Sequence, residues 1–178
     1  MVESADIRPL LELSNLEDLH LYTLFGLCFD DKFGTLMSLA WPRLKTMRLR
    51  PKSYPRFVTP PLIPTTAFLV ALARNCPHLQ ALYLDIDISN VSEQYALRSR
   101  VRQTALTSLV FYRNTQVVEP VTLAKLLSSL FPSLRAISSV AKDAEKWAVV
   151  RTQVATFAEI RAEERQFMLE GNESRLIL

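Results

Sequence analysis

Apolar residues along this chain recur in short bursts at offsets 0, 3 and 5, with polar residues filling the gaps. The clearest burst lies in NCPHLQALYLDI, where Leu79, Leu82 and Leu84 follow Pro77. The same spacing places Leu16-Leu19-Leu21, Leu44-Met47-Leu49 and Leu106-Leu109-Phe111, with a decayed Leu134-Ile137-Ser139 at the end. Offsets 3 and 5 fall on one side of an extended chain, because successive strand residues point to opposite faces. Each burst therefore predicts a short strand with its apolar face inward. The starts at 16, 44, 79, 106 and 134 are separated by 28, 35, 27 and 28 residues, so the strands recur with a period.

Between bursts the period changes to that of a helix. Phe33, Leu36, Met37, Leu39 and Ala40 form one helical segment, with a turn at Gly26, an N-cap at Asp30-Asp31 and a stop at Trp41-Pro42. Thr65 or Thr66 caps a second carrying Phe68, Leu69, Leu72 and Ala73, closed by Asn75 and Pro77. Asn90, Val91 and Ser92 open a more polar helix running through SEQYALRSRVRQTAL, and a further one starts near Glu119-Pro120 and buries Leu123, Leu126, Leu127 and Leu130. Five of the ten prolines lie between Arg50 and Thr66, which excludes a helix interior or central strand there and predicts an extended loop. From Asp143 to Leu169 the steps of 3 or 4 between Trp147, Val150, Val154, Phe157 and Ile160 predict an amphipathic helix ended by Gly171-Asn172.

A Leu-x-x-Leu-x-Leu burst repeating every 20 to about 29 residues is the signature of a leucine-rich repeat. The expected fold is α/β: a solenoid of about five repeats over residues 1–141, with short parallel strands on a concave face and helices on a convex face. Residues 142–178 supply a C-terminal capping helix and frayed tail of the same domain. At the other end, Met1 to Pro9 looks too short to shield a stacking face containing Leu10, Leu13, Leu16, Leu19 and Leu21. This expectation implies self-association or fraying of the first repeat.

The segments IRPLLELSNLEDLHL, LFGLCFDD, AWPRLKTMRLRP, LVALARNCPHLQALYLDID and LLSSLFPSLRAI, together with Trp147 and its helix, resemble the leucine-rich-repeat part of fungal F-box-like proteins. The resemblance covers roughly Ile7 to Glu164, and Trp41-Pro42, Cys76-Pro77 and Phe131-Pro132 are its more specific marks. It implies an intracellular substrate receptor of a cullin-based ubiquitin ligase, whose repeats select what is ubiquitinated. The F-box that docks on the ligase adaptor has no room ahead of Ile7, so the resemblance implies the substrate-reading half without its coupling half, or a truncated or decayed copy.

Composition narrows the function classes. With 21 Lys and Arg against 18 Asp and Glu, the charge of +3 is a mild excess, not the dense basic stripe of nucleic-acid binders. Cys28 and Cys76 stand 48 positions apart without a second thiol or imidazole at ligand spacing, so neither a disulfide framework nor a zinc site is encoded. Free thiols suit cytosol or nucleus, and no apolar run reaches the roughly 18 residues of a membrane span. His20 and His78 lie in different repeats without catalytic partners, and the three glycines form no phosphate loop. No enzyme, cofactor or metal is expected.

Binding is the remaining class. Inward leucines leave the intervening residues on the other sheet face, and in-register stacking makes three rows: Asp18, Thr46, Ala81, Ser108; His20, Arg48, Tyr83, Val110; and Tyr22, Arg50, Asp85, Tyr112. Exposed Tyr and Arg are the types enriched at interface hot spots, so these rows are the candidate protein-binding face. The alternative is RNA or another polyanion held by the basic stretch 43–56, through Arg43, Lys45, Arg48, Arg50, Lys52 and Arg56.

Overall fold

The computed structural model describes residues 2–24, 27–52, 62–91, 101–112, 117–139 and 143–173. Its centre is a five-stranded, wholly parallel sheet built from the five bursts in chain order: β2 (Asp18–Thr23), β4 (Thr46–Pro51), β5 (Ala81–Leu84), β6 (Ser108–Phe111) and β7 (Ala136–Ser139). Parallel neighbours require crossover connections. The described crossovers are helical: α2 (Asp31–Ala40) between β2 and β4, α3 (Thr66–Asn75) between β4 and β5, and α4 (Pro120–Leu130) between β6 and β7. The long helix α5 (Ala144–Glu173) follows β7 and packs on α4. The fold is α/β.

Register follows the apolar pattern. Leu19 pairs with Met47, Met47 with Leu82, Leu82 with Leu109, and Leu109 with Ile137. All five are buried in one core with the inward faces of the helices. A slip of one residue would turn this whole column to solvent, which is why the spacing alone predicts the pairing.

The corners repeat as closely as the strands. Trp41, Cys76 and Phe131 each end a helix with φ between −117° and −128° and ψ between 65° and 73°. The following proline disfavours helical backbone at these positions. At each corner the residue three positions on donates its N–H back to the corner carbonyl: Leu44 to Trp41 at 3.1 Å, Leu79 to Cys76 at 3.2 Å, Leu134 to Phe131 at 3.0 Å. Side chains then stitch each corner to the one before. Trp41 Nε1 donates to the Leu10 carbonyl at 3.0 Å, and Cys76 Sγ lies 3.5 Å from the Ser38 carbonyl and 3.6 Å from that of Trp41.

The fourth corner departs from the expected helix. Residues 92–100 lie outside the described residues, and 101–107 are not helical. Gln103 occupies the corner position, three residues before Leu106, and is buried. Its Nε2 donates to the carbonyls of Cys76, Pro77 and Leu79, and its Oε1 accepts from the N–H groups of Ala105 and Leu106. A helix through these residues would need those two N–H groups for its own ladder, and the side chain takes them instead.

Other local expectations hold with adjustments. Asp30 caps α2 by accepting from Phe33 N–H at 2.8 Å, Thr65 caps α3 by accepting from Ala67 N–H at 3.2 Å, and Pro120 opens α4. Asp31 does more than favour the α2 dipole: its carboxylate accepts from both the N–H and the hydroxyl of Thr65, each at 2.8 Å, tying the two helix starts together. The core face of α2 is Phe33, Gly34, Met37 and Ser38, whereas Leu36 and Leu39 are exposed. Helix α5 buries Trp147, Val150 and Val154, half-buries Phe157, leaves Ile160 exposed, and runs through Gly171-Asn172 instead of ending there. Gly26, the residues 53–61 of the proline-rich loop and the residues beyond 173 fall outside the described residues.

The N-terminal end is ordered and partly covered. Before β2 the chain forms β1 (Val2–Glu3), α1 (Ser4–Ile7) and a 3-10 turn over Arg8–Glu12. Val2 pairs with Leu27 and Glu3 with Cys28 in β3 (Leu27–Cys28), Ile7 is buried, and Leu10 packs on the core. The covering is made by backbone pairing and one buried aliphatic anchor, with Trp41 holding the segment through Leu10, while Leu13 stays half-exposed.

Candidate functional site on the open face of the sheet

The residues that alternate with the buried column form the other face of the sheet. The first two predicted rows stand in register: Asp18 opposite Thr46, Thr46 opposite Ala81, Ala81 opposite Ser108; then His20 opposite Arg48, Arg48 opposite Tyr83, and Tyr83 opposite Val110. Of the third row, Tyr22 pairs with Arg50, but Asp85 and Tyr112 lie one residue past the ends of β5 and β6. Tyr112 still continues the ladder through its N–H, which donates to the Leu84 carbonyl at 3.4 Å.

Side chains on this face organise each other. The Arg48 guanidinium lies 4.5 Å from the Tyr83 ring centroid, the Tyr83 and Tyr112 rings stack with centroids 6.4 Å apart and 25° between planes, and Arg50 lies 5.6 Å from the Tyr112 centroid. Cation–π contact and ring stacking thus hold four side chains, from β4, β5 and the residue after β6, in one array. Arg48, Tyr83 and Tyr112 are half-buried, not exposed as expected, whereas Tyr22, His20, Asp18 and Arg50 are exposed. Burial pushes the Tyr112 phenol above its ordinary pKa, against the pull of Arg50.

The described residues of the basic stretch have different surroundings. Lys45 makes an ion pair with Glu17 at 2.6 Å on the approach to the strands, Arg48 and Arg50 belong to the ring array, and Arg56 lies outside the described residues. Cys76 is fully buried and its thiol is pushed up to about 12 by that burial, which disfavours the reactive thiolate. Among the described residues no group of three or more His, Cys, Asp or Glu side chains could hold a metal, and no helix is long and apolar enough to cross a membrane.

The sequence reading missed Gln103 as a structural residue. Its signal was positional: it stands at the same offset before Leu106 as Trp41, Cys76 and Phe131 before their own leucines.

No family model matches the sequence, and no curated protein matches it. Among solved structures the chain is similar to leiomodin-1 actin-binding site 2, with a TM-score of 0.50 and 12% identity over 96% of this chain and 95% of that one. At that identity the likeness is one of fold.

Proposed function

We propose that the chain is a leucine-rich-repeat solenoid that acts as a non-catalytic protein-interaction module in a reducing compartment, binding its partner on the open sheet face. The observation that carries this reading is the array of Arg48, Tyr83, Tyr112 and Arg50, half-ordered before any partner arrives. Aromatic and arginine anchors held in place lose little side-chain entropy on binding. A fold neighbour named for an actin-binding site shows that this architecture serves protein recognition in another chain; actin is not thereby assigned here. The resemblance to F-box-like proteins makes the bound partner a ubiquitination substrate, with ligase coupling supplied by an F-box.

The test is a triple variant, Arg48→Ala, Tyr83→Ala and Tyr112→Ala. A partner identified by capture with the natural chain, then purified, should bind the variant at least about tenfold more weakly, while the variant melts as a folded protein. Undiminished binding would overturn the assignment.

A second reading uses the same array. Rings and guanidinium groups on an open sheet also suit stacking with single-stranded RNA. Binding of that kind weakens steeply with salt, so an RNA affinity independent of salt, or absent, removes it.

A further inference from the structure

A cleft of about 200 Å³ opens between α4 and α5, among residues that take no part in the sheet face. Its polar lining consists of Arg102, Lys125, Ser128, Ser129 and Arg161, with Phe157 beside them. Every one of these polar groups can donate a hydrogen bond, and no carboxylate is among the described lining residues. The backbone holds the cleft in shape, since Gln103 N–H, next to Arg102, donates to the Leu130 carbonyl at the end of α4 across 2.8 Å.

Two of the lining side chains carry buried polar atoms that the protein does not satisfy. Ser128 is 2% exposed and its Oγ has no hydrogen-bond partner. Helical hydroxyls ordinarily donate to the carbonyl one turn back, as Thr35 does to Asp31 and Thr156 to Thr152. Arg161 Nε and Nη2 are likewise shielded from water without an acceptor. Burial lowers the Arg161 pKa, and the like charges of Arg102 and Arg165 lower it further, with only Glu164 opposing. The carboxyl end of α4 offsets part of this positive charge, but a helix terminus is worth about half an elementary charge against the two arginines that line the cleft.

We propose that this cleft binds a phosphate group, either free or carried on a hydroxyl. A tetrahedral dianion brings acceptors only, matches the two-pronged guanidinium, and carries more charge than a carboxylate to set against the two arginines. Lys125 and Ser129, which have other partners in the protein, would form the rim. Ser128 and Arg161 would form the floor.

The experiment is a titration of the ¹⁵N-labelled full chain at constant ionic strength with inorganic phosphate, O-phosphoserine and acetate, following the Arg161 Nε–H and Ser128 amide signals. The expected result is saturable shifts with either phosphate compound and binding about tenfold weaker for acetate. Tighter phosphoserine binding assigns the site to a carried phosphate, and tighter inorganic phosphate binding to the free ion. Arg161→Met should weaken binding about tenfold or more. Arg102→Gln, at an exposed position that leaves the fold intact, should act in the same direction. Shifts that stay linear with concentration, or saturable binding undiminished in both variants, would overturn the proposal.

Discussion

The Gln103 side-chain amide donates to the Leu79 carbonyl across 2.7 Å, so a residue just ahead of β6 closes the corner ahead of β5. The same side chain serves four further backbone groups. Replacing it with alanine leaves several of them buried and unpaired, each costing about 1–3 kcal/mol unless water enters. Gln103→Ala should therefore destabilise the chain by about 2–4 kcal/mol in urea unfolding. A loss below about 0.5 kcal/mol would show that solvent already serves this corner.

Gly34 of α2 lies directly against Phe68 of α3. An added Cβ would lie 2.6 Å from Phe68 Cδ2. Alanine is ordinarily the better helix residue by up to about 1 kcal/mol, yet Phe68 is fully buried and packed edge-on against Phe29 at 5.5 Å, so it has little room to yield. Overpacking of this kind typically costs about 1–3 kcal/mol. Gly34→Ala should lower the melting temperature, and Phe68→Leu in the same chain should recover part of the loss. A stabilised single variant would mean that the helices separate freely.

Cys76 links pH to stability. Its folded thiol is pushed up to about 12, whereas the unfolded thiol titrates in the ordinary range. The stabilisation attached to this proton is complete below the ordinary thiol range and declines as pH rises from there towards about 12, because only the unfolded chain releases the proton. The slope is at most about 1.4 kcal/mol per pH unit, and it should flatten by that amount in Cys76→Ala. Native alkylation should modify half-buried Cys28 and spare Cys76. Equal reactivity of the two thiols would refute the burial argument.

Helix α5 divides into a half that covers the core and a half that does not. Trp147 is buried with its ring centroid 5.1 Å from that of Phe111, whereas residues 162–169 are all exposed, Phe167 at 75%. Trp147→Ala should cost about 3–5 kcal/mol, and deletion from residue 143 onward should produce aggregation through bared Leu130, Leu134 and Ile137. Truncation after Arg161 should change stability by no more than about 0.5 kcal/mol. A large loss from that truncation, read by chemical unfolding, would place structural work in the outer half.

At the opposite end, Trp41→Phe removes the donor to the Leu10 carbonyl and replaces a fully buried indole by a smaller ring. The expected cost is about 1 kcal/mol for the hydrogen bond and about 1–2 kcal/mol more for the cavity, with faster hydrogen exchange confined to β2 and the segment before it. Exchange that is unchanged at Leu19 and Leu21 would show that backbone pairing of Val2–Glu3 alone secures this end.

The sequence by itself determined the strands, their register and most of the corners. Leucines at offsets 3 and 5 can share a face only in extended backbone, and the Trp41-Pro42, Cys76-Pro77 and Phe131-Pro132 pairs stop their helices by steric conflict within two residues. Asp30, Thr65 and Pro120 act within one helical turn. Tertiary structure decided what depends on groups distant along the chain. Gln103 keeps the backbone just ahead of Leu106 out of a helix because its acceptors belong to the preceding corner, and residues 2–12 found their place because Trp41 and Leu27–Cys28 were there to receive them. Arg48 and Tyr83 met because in-register pairing brings β4 beside β5. Lys125 and Arg161, unremarkable in sequence, were brought together by the packing of α5 on α4, where burial shields Arg161 Nε and Nη2 from the water that would otherwise satisfy them.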